Sequence, residues 1–221
     1  MAVNIAGYQS IREELNGKAT LVAVSKTKPV AEIMELYELG QRDFGENYVQ
    51  ELTEKKPQLP DSINWHFIGH LQSNKVKYIA AFVQLIHGID SFKLLKEVNK
   101  QAQKNNRIIH CLLQVHIAME ETKFGFDNGE LEALFSDPAL SDLRHIKITG
   151  LMGMASLTED RAKIKSEFAA LHQLFDRYRR YNGSNIAIST LSMGMSSDYK
   201  LAVEEGSTMV RIGSLLFGAR S

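Results

Sequence analysis

Lys26 stands where an apolar strand stops. In LVAVSKTKPV (residues 21–30), five residues suited to a buried strand run into Lys26, Thr27, Lys28 and Pro29. A lysine amine bonds covalently to a carbonyl carbon when it is neutral, and burial beside a second cation favours the neutral state. Arg211, in VRIG two residues before Gly213, offers such a cation. Two other segments bring Ser196, Ser197 and Asp198 (in MGMSSD) and Gly213-Ser214 directly ahead of helical patterns. Serine and aspartate are N-cap types, and helix starts rich in small residues turn backbone N–H groups toward an anion. Ser214 is expected to cap the last helix. Each feature alone has an ordinary explanation, since strand ends carry surface lysines and caps need hydroxyls. Together they describe a site that grips a phosphorylated carbonyl compound by its tail and bonds it through Lys26.

The elements that must position these groups read as alternating strands and helices. Candidate strands are residues 21–25, 42–45, 65–69, 85–89, 110–117, 146–154, 189–193 and 209–213. Segments of helical periodicity separate them, the longest being TEDRAKIKSEFAALHQLFDRYRRY. There Ile164, Phe168, Leu171, Leu174, Phe175 and Tyr178 form one core-facing stripe. Eight such units predict a parallel sheet closed into a (β/α)8 barrel, with an open doubly wound sheet as the rival. No linker or low-complexity tract divides the chain, so residues 1–221 are expected to form one domain. A helix around Tyr8–Leu15 precedes the first strand and is expected to flank or plug the barrel. In a barrel, strand C-termini and their loops make the working face, and the last two loops commonly hold a phosphate. Lys26, Asn47, His70, Asp90, Lys123, Met152 and Met154 all fall at that end.

Lysine plus arginine equals aspartate plus glutamate at 26 each in 221 residues, which gives no global pull toward nucleic acid or anionic membrane. Cys111 is the only cysteine, which suits a reducing compartment. No apolar run reaches the ~20 residues of a membrane span, and the N-terminus has no secretion-signal pattern. Several residues earn only ordinary roles. Lys28, before Pro29, suits a first helical turn, and Lys123 a solvated loop. His66 and His70 flank a strand end and are not expected to bind metal. His87 and His116 read as polar residues at strand ends, Tyr48 and Tyr199 as helix-face packing, and the methionines at 152, 154, 193 and 195 as an apolar wall or core.

Eight motifs in order resemble the pyridoxal phosphate homeostasis proteins, which are related to the N-terminal barrel of alanine racemase. They are AVSKTKP (23–29), FGENYVQE (44–51), WHFIGHLQSNK (65–75), HGIDS (87–91), KFGF (123–126), GLMGMAS (150–156), LSMGMSSD (191–198) and VRIGSLLFGAR (210–220). The resemblance implies a fold-type III TIM barrel that binds pyridoxal 5′-phosphate (PLP) as an internal aldimine on Lys26. It places Arg211 opposite the pyridine nitrogen, Ser196, Gly213 and Ser214 at the phosphate, and Asn47 and Met152 near the ring. It further implies a cytoplasmic protein that maintains vitamin B6 balance without an established reaction, with apo-enzymes that need PLP as recipients. A monomer is expected, with no metal. The alternative is an amino-acid racemase of the alanine racemase type. Against it, two-base racemisation needs a proton donor on each face of the Cα, and Lys26 supplies one. The chain also stops at Ser221, directly after the last helix, so the further domain of the racemases is expected to be missing.

Overall fold

The computed structural model describes residues 3–118 and 124–218. Eight parallel strands close on themselves: β1 (Thr20–Val24), β2 (Asp43–Glu46), β3 (Asn64–Phe67), β4 (Leu85–Ile89), β5 (Ile109–Gln114), β6 (Ile146–Met152), β8 (Ile186–Ser192) and β9 (Met209–Ile212). Pairing of β6 with β8 and of β9 with β1 shuts the barrel and rules out the open sheet. A two-residue strand, β7 (Asn182–Gly183), folds back antiparallel on β8. It was not expected, and β8 starts three residues earlier than the apolar run at residue 189. Its first residues alternate in exposure, which hides them from a search for continuous apolar runs.

The helices are α1 (Ile5–Leu15), α2 (Val30–Glu38), α3 (Val49–Lys55), α4 (Val76–Ile79), α5 (Phe92–Lys104), α6 (Asn128–Ser136), α7 (Arg161–Tyr178), α8 (Tyr199–Glu204) and α9 (Ser214–Phe217). The main core lies between strands and helices, while Val22, Leu85, Leu112, Met152 and Met209 form a separate apolar cluster. On α7 the expected stripe is buried, with Leu174 only partly so. α1 flanks the barrel. Asn4 donates from its backbone to Leu216 O at 2.8 Å, and Tyr199 Oη donates to Glu14 Oε2 at 2.6 Å.

Two details fix the upper ends of β6 and β8. A Cβ on Gly150 would lie 1.7 Å from the carbonyl oxygen of Thr190, so only glycine lets these strands approach as they do. Glu167 on α7 accepts both the N–H and the hydroxyl of Ser156 at 2.7 Å, which ties down the segment following β6. At the head of α7, Asp160 Oδ1 accepts from the N–H groups of Ala162 (3.0 Å) and Lys163 (3.1 Å). Asp160→Ala is expected to cost ~1 kcal/mol of stability in urea unfolding, the usual worth of such a cap.

Candidate functional site

Lys26 projects from a turn that other groups hold in place. Lys28 N–H bonds back to Ser25 O at 3.0 Å, and Thr27 sits at φ 63°, a left-handed conformation that non-glycine residues disfavour. Three contacts, two of them buried, oppose that cost. Ser25 Oγ donates to Glu46 Oε1 at 2.7 Å, and Lys55 Nζ donates to Ser25 O at 2.8 Å. Thr27 N–H donates to Glu51 Oε1 at 2.5 Å. Lys55 also bridges Glu46 and Glu51, at 2.8 and 2.5 Å. Burial pushes the Glu46 carboxyl above its ordinary value, and Lys55 pulls it back.

Across the barrel mouth, the segment after β8 folds over the end of β9. Gly194, at φ 95°, accepts the N–H of Arg211 at 3.0 Å. Met195 N–H donates to Asp198 Oδ1 at 2.5 Å, and Ser196 Oγ accepts from Gly213 N–H at 3.3 Å. The loops after β8 and β9 are thus stitched together. Arg211 is almost wholly buried. Its Nη1 donates to Ser192 O at 2.9 Å and to Ser192 Oγ at 2.6 Å, and its Nη2 donates to Gly153 O at 3.1 Å. Desolvation lowers its pKa to about 10, against the pull of Asp198, so it stays charged at neutral pH.

These pieces border one cleft of about 570 Å³. Lys26, Asn47, Ser196, Arg211, Gly213 and Ser214 line it together, with Val24, Ile68, Met154, Met195 and Leu215 as apolar wall. The volume lies within the range of small-molecule sites. Asn47 also borders a neighbouring hollow of about 560 Å³, and its buried Oδ1 has no hydrogen-bond partner among the described residues.

Met152 does not line this cleft; it is packed below, in the small apolar cluster, and Met154 takes the wall position. Ser214 is exposed and is the first residue of α9, with Gly213 as the N-cap. The spacing placed the cap one residue late. Lys28 does line the cleft, and its Nζ donates to Phe217 O at 2.8 Å, which anchors α9. Tyr48 is exposed beside the neighbouring hollow instead of packing a helix, whereas Tyr199 is buried as expected. His87 is not at a strand end but inside the barrel, hydrogen-bonded to His66. His70 stands apart, its Nδ1 3.1 Å from Asp90 Oδ2. No group of His, Cys, Asp and Glu able to hold a metal occurs among the described residues. Lys123 lies outside the described residues. Lys55, Glu51 and Ser192 were missed. Glu51 and Lys55 are four apart on α3, a spacing that reads as an ordinary surface pair.

The family model described as alanine racemase, N-terminal domain, matches residues 5–221. A pyridoxal phosphate homeostasis protein of Aquifex aeolicus (strain VF5) is 43% identical over 203 residues, covering 91% of this chain and 87% of that protein. The structure of PipY from Synechococcus elongatus PCC7942 without PLP superposes with a TM-score of 0.90 at 38% identity, over 96% of this chain and 99% of that one. Its PLP-bound form gives 0.87 at 37% identity over the same shares. With its closed barrel and a relative this similar over nearly its whole length, the chain belongs to the pyridoxal phosphate homeostasis protein family, built on the alanine racemase N-terminal domain.

Proposed function

We infer that this protein binds PLP, with Lys26 as the covalent anchor, and serves the homeostasis of that cofactor by holding and releasing it. The observation that carries the reading is the convergence of a lysine, a buried guanidinium and a hydroxyl-bearing double loop on one cleft. PLP supplies an aldehyde that condenses with a neutral primary amine with loss of water, and an anionic tail that N–H and O–H donors can hold. The residues fit such a group. Ser196 and Ser214 offer hydroxyls, α9 opens on this cleft with helix-start N–H groups, and the unpartnered Oδ1 of Asn47 awaits a donor. Arg211, held charged, disfavours protonation of a ring nitrogen opposite it, which weakens the cofactor as an electron sink.

A binding role is favoured over racemisation by the lining itself. Among the described residues at the cleft, the titratable groups are Lys26, Lys28 and Arg211. Lys28 is engaged with Phe217 O, and a guanidinium is a poor base. Among the described residues, no second general base lines the cleft with the anchor. The same reading has the protein act in the cytoplasm as a monomer that passes PLP to apo-enzymes, without nucleic-acid or membrane partners. Balanced charge and the lack of any helix, among the described residues, long and apolar enough to cross a membrane support it.

Borohydride reduction after incubation with PLP, followed by peptide mass mapping, tests the reading. A pyridoxyl group is expected on the peptide carrying Lys26, retained in Lys28→Ala and lost in Lys26→Ala. Equal labelling of Lys26→Ala would overturn the assignment. Single amino-acid enantiomers incubated with loaded protein in deuterated water are expected to show no exchange at Cα; exchange would favour the racemase.

A further inference from the structure

One line of polar groups crosses the barrel interior. Asp43 at the start of β2 meets His66 on β3, with Oδ1 3.0 Å from Nε2. His66 Nδ1 lies 2.9 Å from His87 Nε2 on β4, and His87 Nδ1 lies 3.2 Å from Ser192 Oγ on β8. Ser192 Oγ in turn receives Arg211 Nη1 at 2.6 Å. His66, His87, Ser192 and Arg211 are all buried, and only the Asp43 side chain, 28% accessible, reaches toward water at the far end.

With both imidazoles neutral, chemistry fixes the direction of every bond. A carboxylate only accepts, so His66 carries its proton on Nε2, and its neutral Nδ1 accepts. His87 must then carry its proton on Nε2, and its Nδ1 accepts from the Ser192 hydroxyl. The serine oxygen is left to accept from Arg211, which only donates. For two neutral rings, a guanidinium at one end and a carboxylate at the other leave a single arrangement with each proton used once.

We propose that Asp43, His66, His87 and Ser192 form a relay of positioning residues that holds Arg211 charged and fixed from behind. The relay gives the buried guanidinium a distant counter-charge through polarised hydrogen bonds, which strengthen one another in a low-dielectric interior. Burial above all, with the Arg211 guanidinium nearby, keeps His87 neutral, as this arrangement requires. The consequence for the cofactor rests on the proposed PLP site: the relay decides how firmly a ring nitrogen opposite Arg211 stays unprotonated.

Two measurements on the full chain test this, one without cofactor. Long-range 1H–15N NMR of the unloaded protein is expected to show His66 and His87 neutral, both protonated on Nε2, at pH 7. A proton on Nδ1 of either ring overturns the relay. In PLP-loaded protein, the pH midpoint of the bound cofactor's absorption change is expected to fall by about half a unit in Asp43→Asn, because a counter-charge is lost. Ser192→Ala should shift it as well, and Ser192→Thr should restore it. Once Ser192 is alanine, Asp43→Asn should add nothing, whereas additive shifts would mean a through-space field and would sink the proposal. If the wild type shows no cofactor band and no reductive label, the site reading fails and with it the role toward PLP. The NMR result still decides the direction of the bonds.

Discussion

Lys55→Met is expected to lower the unfolding free energy by ~3–5 kcal/mol, the usual consequence of leaving a buried charge without its partner. Glu46 is completely buried, and one of its oxygens already lacks a partner among the described residues. Without Lys55, the other oxygen keeps only the Ser25 hydroxyl. The carboxyl must then take up a proton or drag the upper end of β2 toward water. Because burial raises the folded-state pKa of Glu46 above its ordinary 4.5, its stability contribution is present below that value and is lost as pH rises through the folded value. Removing Lys55 deepens this loss, so the variant should weaken relative to the wild type as pH is raised from 5 to 8. Urea unfolding across that range measures it. Glu46→Gln combined with Lys55→Met removes both charges and is expected to recover most of the loss, which separates a charge effect from lost packing. Function should suffer beyond stability. Lys55 holds the carbonyl of Ser25, and Glu51, which it orients, holds the N–H of Thr27. Those two bonds keep the Lys26 turn in its strained form, so reductive labelling of Lys26 should fall even where the variant is fully folded. Undiminished labelling of folded Lys55→Met would remove the network from any part in presenting the anchor.

The barrel was legible because its strands are buried on both faces and read as apolar runs, and because the helices between them keep a 3.6-residue period. Lys26, Ser196, Arg211 and Gly213 were legible for a related reason. They fall at strand C-termini, and a closed parallel barrel gathers all such ends around one mouth. What stayed hidden depends on side-chain direction or on contact between distant segments. Met152 and Met154 differ by two positions at the end of β6, yet one packs into the interior and the other faces the cleft. The strand's alternation does not hold through the turn that follows it, so the cleft-lining residue could not be chosen from spacing. Lys55 meets Ser25 across 30 residues, and nothing in the α3 sequence says that its amine points inward. His66 and His87 were hardest of all. A histidine in an apolar strand looks the same at an end or at the centre, and here each ring satisfies the other inside the barrel.

Below pH 6.5 the protein is expected to lose stability at up to ~1.4 kcal/mol per pH unit on account of His87 alone. In the unfolded chain His87 regains its ordinary value of 6.5 and takes up a proton as the pH falls through it. In the barrel, burial first, and then the fields of His66 and Arg211, hold its value well below that. The unfolded state therefore binds the extra proton, and stability present above pH 6.5 drains away until the folded-state value is reached. The groups that face His87 are His66 on β3, Ser192 on β8 and Arg211 on β9, while Asp43 is reached only through His66. No carboxylate among the described residues touches the ring to reverse the effect. Half-buried His110 adds a weaker loss in the same direction. Glu46 and Asp198, both raised by burial, offset part of it nearer pH 4.5. Denaturant midpoints from pH 7.5 to 5 measure the slope. His87→Gln, which keeps an amide between Ser192 and His66 but cannot titrate, should flatten it by about one proton; parallel profiles for the two proteins would refute the assignment. The same proton bears on Arg211. Once charged, His87 donates from Nδ1 as well, and the Ser192 hydroxyl can no longer give its proton there while accepting from the guanidinium. Acid should loosen Arg211 before it unfolds the barrel, and cofactor release should therefore begin at a higher pH than the loss of structure.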